Sequence, residues 1–269
     1  MTDTTPTELV RYRVDGHVAL LTLANPPANG YSYAMMRQLD EAVLRARFDD
    51  GVQVLVLRGA GEKFFCAGAD IEMLESLSQR SKYAFCLHAN ETLLRLEHTP
   101  KLVIAALGGH CVGGGLEIAL AADLRVARRG SGLCGLPEVG LGVLPGTGGT
   151  QRLARMLGKS KAIELMATAE LFDYEKAHQL GLVNRVLDAT DDDAFLEAVL
   201  EYARGFCTPD RAAFAVGHIK RAVQSGTDLP LEAGLALERE LQARLFASKD
   251  AREGIGAFTE KRTAAFEGH

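Results

Sequence analysis

Glu117 and Glu138 stand where a carboxylate is costly. From Leu102 to Gly115 the chain carries no Asp, Glu, Lys or Arg, and Glu117 follows at once within GGGLEIALAAD. Its helical neighbours three and four positions away, Gly113, Gly114, Leu120 and Ala121, are small or apolar. Between Gly130 and Gln151 the sole charged side chain is Glu138. A carboxylate in such surroundings needs hydrogen bonds, a counter-charge or a proton. A raised pKa is what a general acid at neutral pH requires, so the pair points to acid–base chemistry. The bland alternative is that each glutamate faces solvent from the edge of an apolar element, and pattern alone leaves both open.

Glycine gathers around both residues: 13 of the chain's 28 fall between Leu102 and Thr150. Gly113-Gly114-Gly115 opens a helix and offers backbone N–H groups at its positive end, which suits an anion or a developing oxyanion. Close packing of a helix on a sheet would call for the same run.

The elements that must position these residues read as follows. Thr7–Arg13 and Val18–Leu23 form a hairpin around Asp15-Gly16, and Asn25–Gly30 is a loop. Ser32 caps a helix to about Phe48. Val52–Leu57, Leu102–Ala106 and Asp123–Ala127 are short apolar runs that read as buried strands. Gly59–Asp70 and Gly108–Gly115 read as loops, each followed by helix. Strand, strand, helix recurs, which suggests a coil of similar turns within an α/β fold. After Gln151 nearly everything is helical pattern, ending with Ala251–Ala265. We place a boundary near residue 200, giving a core of 1–200 and a helical region of 201–269.

Composition narrows the function. The 269 residues are 47% hydrophobic, enough for a substantial core. A net charge of −5 and a pI near 5.8 exclude a global basic field for nucleic acid or anionic lipid. The N-terminus shows no basic, then apolar, leader pattern, and no run is long and apolar enough to span a bilayer. Five scattered cysteines without C-x-x-C spacing suit reduced thiols and a cytoplasmic location. Gly158-Lys159-Ser160 resembles the end of a phosphate loop, but Leu153 stands where its first glycine belongs. No dinucleotide fingerprint, nucleophile elbow or metal-spaced histidine set occurs. Cys66 reads as a packed thiol rather than a nucleophile.

Three segments resemble the crotonase superfamily, and within it the enoyl-CoA hydratases. They are Phe65-Cys-Ala-Gly-Ala-Asp-Ile71, Gly109-His-Cys-Val-Gly-Gly-Gly-Leu-Glu117 with Ala121-Ala-Asp123, and Leu136-Pro-Glu-Val-Gly-Leu-Gly-Val-Leu-Pro145 with Gly146-Thr-Gly-Gly-Thr-Gln-Arg152. Arg252–Arg262 also fits. The resemblance implies a spiral of repeated ββα turns with a C-terminal helical region. It implies Glu117 and Glu138 as the acid–base pair of a hydratase, and the Ala69 and Gly114 N–H groups as an oxyanion hole. It implies substrate or CoA contacts at Ala28, Asn29, Ala67, Gly68, Asp70, Ile71, Leu141, Phe258 and Lys261. Coenzyme A would arrive as part of the acyl thioester substrate, with no other cofactor and no metal. The family's assembly implies a homotrimer or homohexamer, with neither nucleic acid nor membrane as partner. Sister reactions, namely double-bond isomerisation or a specialised dehydration, are the alternative, and a non-catalytic CoA- or RNA-binding relative is a third. Two departures bear on CoA phosphates: Asn25–Gly30 lacks the lysine often found there, and Glu72 replaces another. The stretch between the glutamates is one residue longer than usual near Gly130-Ser-Gly132.

Overall fold

A computed structural model describes residues 7–269; the first six residues of the N-terminal leader reading lie outside the described residues. The chain opens with the antiparallel hairpin β1 (Val10–Asp15) and β2 (Val18–Leu23). Helix α1 (Tyr33–Phe48) follows, and the Ser32 hydroxyl caps it by accepting from Met35 N at 3.3 Å, as the sequence suggested. Then come β3 (Val54–Gly59), β4 (Phe64–Cys66), α2 (Ile71–Ser76) and α3 (Gln79–Glu97). The next turn is β5 (Leu102–Leu107), β6 (His110–Val112) and α4 (Gly114–Leu120). A third comprises β7 (Leu124–Arg128), β8 (Leu133–Gly135), a 3₁₀ turn at Glu138–Leu141, and helices α5 (Gly149–Leu157) and α6 (Lys159–Ala167). The chain continues through β9 (Phe172–Asp173), α7 (Tyr174–Gln179) and β10 (Arg185–Leu187). Helices α8 (Asp192–Arg204), α9 (Ala213–Gly226), α10 (Leu231–Phe246) and α11 (Lys249–Glu260) complete it.

The first strands of successive turns build one sheet in the order β1-β2-β3-β5-β7-β10, parallel from β2 onward. The second strands build another, β4-β6-β8-β9. This is the expected spiral of ββα turns. The stretches 59–70 and 108–115, read from sequence as loops, hold β4 and β6 instead. Each is only three residues long, too short for alternation to register.

The large sheet is covered on both faces at its centre, which is why β2, β3 and β5 are nearly continuous apolar runs. Leu21, Leu55, Leu57, Val103 and Ala105 pack toward α1, α3 and α4. Val18, Val54, Val56 and Ile104 pack toward Phe195, Val199 and Leu200 of α8. Helix α8 thus runs through position 200 as part of the layer that closes the core. Helix α9 is fastened by Lys220, which pairs with Asp123 at 2.8 Å and donates to Lys101 O at 3.0 Å.

The last helix ends five residues before the sequence pattern suggested, because Lys261 turns left-handed at φ 55°. Beyond it the chain folds back: Glu267 N and Gly268 N donate to the Asp250 carboxyl at 2.8 and 2.9 Å. Among the described residues no helix is long and apolar enough to cross a membrane.

Candidate active site

Glu117 lies one turn into α4 and is 2% exposed. Its Oε1 accepts from Thr147 N at 2.8 Å and Gly149 N at 2.7 Å, and its Oε2 accepts from the Thr147 hydroxyl. Burial raises its pKa, while these three donors and the Arg152 charge pull the other way. The carboxyl is therefore desolvated yet equipped to hold a negative charge.

Glu138 is set differently. It opens the 3₁₀ turn and is half-buried, and among the described residues its Oε2 is buried with no hydrogen-bond partner. Burial pushes its pKa up to about 7; its own backbone N–H opposes this and the nearby Glu117 charge adds to it. Its Oε1 lies 3.1 Å from where a Cβ on Gly113 would stand. Gly113, at φ 58°, is the N-cap of α4 and lies four residues before Glu117. Two carboxyls thus sit on adjoining turns of one small region, one richly donated to, the other not.

Beside them are two unclaimed amides. The loop 67–70 pairs with 28–31: Ala67 N donates to Ala28 O at 3.0 Å, Tyr31 N to Gly68 O at 2.9 Å, and Asp70 N to Tyr31 O at 3.0 Å. This pairing turns the Ala69 N–H away from Tyr31. Among the described residues neither that group nor the Gly114 N–H donates to any acceptor. Gly68 brings them together, since a Cβ on it would lie 3.1 Å from Gly114 N. The close-packing reading of the Gly-Gly-Gly run is met, and the Gly114 N–H is left free. Gly114 and Gly115 are also packing residues, because a Cβ on either would meet Tyr31 at 2.4 Å or Cys66 O at 2.0 Å.

The remaining sequence candidates divide. Ala28, Ala67, Gly68, Asp70 and Ile71 line the ribbon beside Gly114, and Ile71 is 57% exposed. Asp70 spends one oxygen capping α2, accepting from Met73 N at 3.0 Å. Asn29 is buried and its amide is consumed within the protein: it accepts from Asn25 N and donates to Ala60 O and Phe64 O at 3.0 and 2.9 Å. That leaves only its backbone for a ligand. Leu141 ends the same 3₁₀ turn as Glu138 and is exposed. Phe258 is 87% exposed, and Lys261 is exposed at the end of α11. The Cys66 thiol is fully buried with its pKa pushed up to about 12, as a packed thiol requires. Among the described residues no cluster of three metal-ligating side chains occurs.

Sequence reasoning missed Thr147, Gly149 and Tyr31 as parts of the site. Tyr31 O–H lies 3.2 Å from Thr147 Oγ1; since that hydroxyl's proton goes to Glu117 Oε2, Tyr31 donates to it. The Gly146–Arg152 run was visible as a motif, but nothing local said which carboxyl it would face.

Known proteins resemble this chain over nearly its whole length. The sequence model of the family described as enoyl-CoA hydratase/isomerase matches residues 13–269. A short-chain-enoyl-CoA hydratase of Clostridium acetobutylicum is 35% identical, over 92% of this chain and 93% of that protein. A crotonyl-CoA hydratase of Syntrophomonas wolfei is 34% identical, over 93% and 94% respectively. The crystal structure of an enoyl-CoA hydratase from Geobacillus kaustophilus superposes with a TM-score of 0.94 at 42% identity, covering 98% of both chains. With the family's sequence pattern spanning nearly the whole chain and its spiral reproduced turn by turn, the protein belongs to the enoyl-CoA hydratase/isomerase family of the crotonase superfamily.

Proposed function

We propose that the protein is an enoyl-CoA hydratase, a hydro-lyase that reversibly adds water across the 2,3 double bond of an enoyl-CoA to give a 3-hydroxyacyl-CoA. The observation that carries this reading is two carboxyls in different surroundings beside two free amide donors: Glu117 clasped by three donors, Glu138 lifted to about 7 with a bare oxygen. A thioester oxygen held by the Ala69 and Gly114 N–H groups draws density from the conjugated double bond and leaves the β-carbon electrophilic. Glu117, ionised, takes a proton from water as the oxygen bonds to that carbon. The π electrons move to the thioester oxygen as an enolate, where each amide donor contributes about 3 kcal/mol. Glu138 then gives its proton to the α-carbon. One proton enters the pair from water and one leaves to carbon, so the pair keeps its proton count. The singly protonated pair is therefore the active form in both directions.

Purified protein is expected to hydrate crotonyl-CoA without an added cofactor or metal. Its kcat/KM should follow a bell with an alkaline limb near the Glu138 value of about 7, the same in both directions. Failure to hydrate any of a panel of short, long and branched enoyl-CoA substrates, or conversion of 3-enoyl-CoA faster than hydration, would sink the assignment.

The same reading assigns the CoA path to Ala28, the Asn29 backbone, Ala67, Gly68, Asp70 and Ile71, with Leu141 at its mouth. It assigns the cytoplasm as location and a homotrimer or homohexamer as the working form. Support for assembly comes from the tail, where Leu231, Phe246, Ile255 and Phe258 are 77%, 62%, 60% and 87% exposed. Lys261 and Phe258 would then serve a neighbouring subunit's CoA. Light scattering should give a mass of three or six chains, and a monomer at micromolar concentration would contradict it.

A further inference from the structure

We propose that Arg152, anchored by Glu97, is a positioning residue for Glu117, and that Gln224 ties this anchor to helix α9 of the tail. The inference rests on the reading of Glu117 as the group that activates water. All three hydrogen bonds onto Glu117 come from residues 147–149, a stretch with no charge of its own. That stretch is held from outside. Asn90 Nδ2 donates to Gly146 O at 3.3 Å, and Arg152 Nη1 donates to Thr147 O at 3.3 Å. Between them Gly148 sits at φ 116°, and a Cβ there would fall 2.0 Å from Arg152 Nη1. The guanidinium occupies the room that a side chain would take.

The guanidinium is itself pinned. Its Nη2 meets Glu97 Oε2 at 2.7 Å, and its Nε lies 3.3 and 3.2 Å from the two oxygens. Both side chains are nearly buried, at 11% and 14% exposure. Gln224 Nε2 donates to Glu97 Oε1 at 3.0 Å. A buried pair of this kind adds little net stability over apolar groups of the same shape. What it supplies here is a planar fork that fixes the Thr147 carbonyl, with a positive charge one loop away from the base. The charged and titratable groups facing Glu117 are Arg152 from α5, Glu138 from the 3₁₀ turn, Tyr31 from the loop before α1 and Cys86 from α3. Arg152 is the one cation among them, so its loss should make Glu117 easier to protonate.

The test is made on the full chain, with and without substrate. Carbon-13 NMR of protein labelled at glutamate Cδ, with Glu117 assigned through Glu117→Gln, gives its titration midpoint without turnover. In Arg152→Gln the midpoint should move to higher pH, kcat on crotonyl-CoA should fall about 10–100-fold, and KM should stay within about threefold. Arg152→Lys keeps the charge and loses the fork, so the midpoint should return toward wild type while kcat remains reduced. Glu97→Gln should lower kcat without raising the midpoint. If folded Arg152→Gln keeps both the wild-type midpoint and kcat, the proposal falls. Should that variant not fold, wild-type kcat in both Arg152→Lys and Glu97→Gln overturns it equally. A wild-type protein that fails to hydrate any enoyl-CoA, while Arg152→Gln still shifts the midpoint, would overturn the hydratase reading and leave the positioning of Glu117 standing.

Discussion

Glu138→Gln is expected to lose about 10²–10⁴-fold in kcat for hydration and yet to melt at a higher temperature than the wild type above pH 7. The rate loss follows from the missing proton donor at the α-carbon. The stability gain follows from the same burial that makes Glu138 useful. Its pKa rises from an ordinary 4.5 to about 7 in the fold. Between those values the native chain binds a proton that the unfolded chain has released, so stability falls as pH rises through the window and stays lowered above it. Glutamine has no proton to lose. Its advantage is therefore absent below the unfolded value, grows toward pH 7 and is complete above it. The half-buried carboxyl keeps some solvent screening, so the gain should be about 1–2 kcal/mol rather than the full value of the shift, a few degrees in Tm. Thermal melts at pH 5 and pH 8 alongside kcat decide it: full activity in the variant, or identical melting differences at the two pH values, would show that Glu138 is not a strained acid.

Glu117→Gln should lose a comparable 10²–10⁴-fold, roughly, in kcat with a smaller loss of stability than Glu117→Ala. The carboxamide oxygen can still accept from Thr147 N and Gly149 N, which reach Oε1 at 2.8 and 2.7 Å. Its NH₂ would face the Thr147 hydroxyl in place of Oε2. That hydroxyl then turns from donor to acceptor and directs its own proton to Tyr31 O, 3.2 Å away. Every buried heavy atom keeps a partner, the Tyr31 hydroxyl proton loses its acceptor, and the proton acceptor for water is gone. Glu117→Ala differs in kind, because it strands two N–H groups and a hydroxyl in the interior at about 1–3 kcal/mol each. A Glu117→Gln protein that retains more than about a tenth of wild-type kcat would remove Glu117 from the water-activating step. If it unfolds as readily as the alanine variant, the hydroxyl does not reverse.

Much of the scaffold is visible in the residues themselves. Apolar runs at Val54–Leu57 and Leu102–Ala106 mark strands buried on both faces, and Ser32 caps α1 where its hydroxyl predicts. The second sheet escapes notice for a plain reason. Its strands are two or three residues long and belong together only through pairing with segments far away in sequence, such as Phe64 with His110 and Cys111 with Cys134. The early end of α11 is similarly non-local: Asp250 receives the returning Glu267 and Gly268 amides, and no helix propensity records that.

Local composition was enough to single out two carboxyls as expensive and to seat them among glycines, because a charge without neighbours of opposite sign is conspicuous in any apolar stretch. Composition could not tell the two apart. Glu117 receives its donors from residues 30 and 32 positions further on, whereas Glu138 receives none for Oε2. How readily each carboxyl gives up its proton depends on desolvation and on donors delivered across space, and only the folded spiral supplies both.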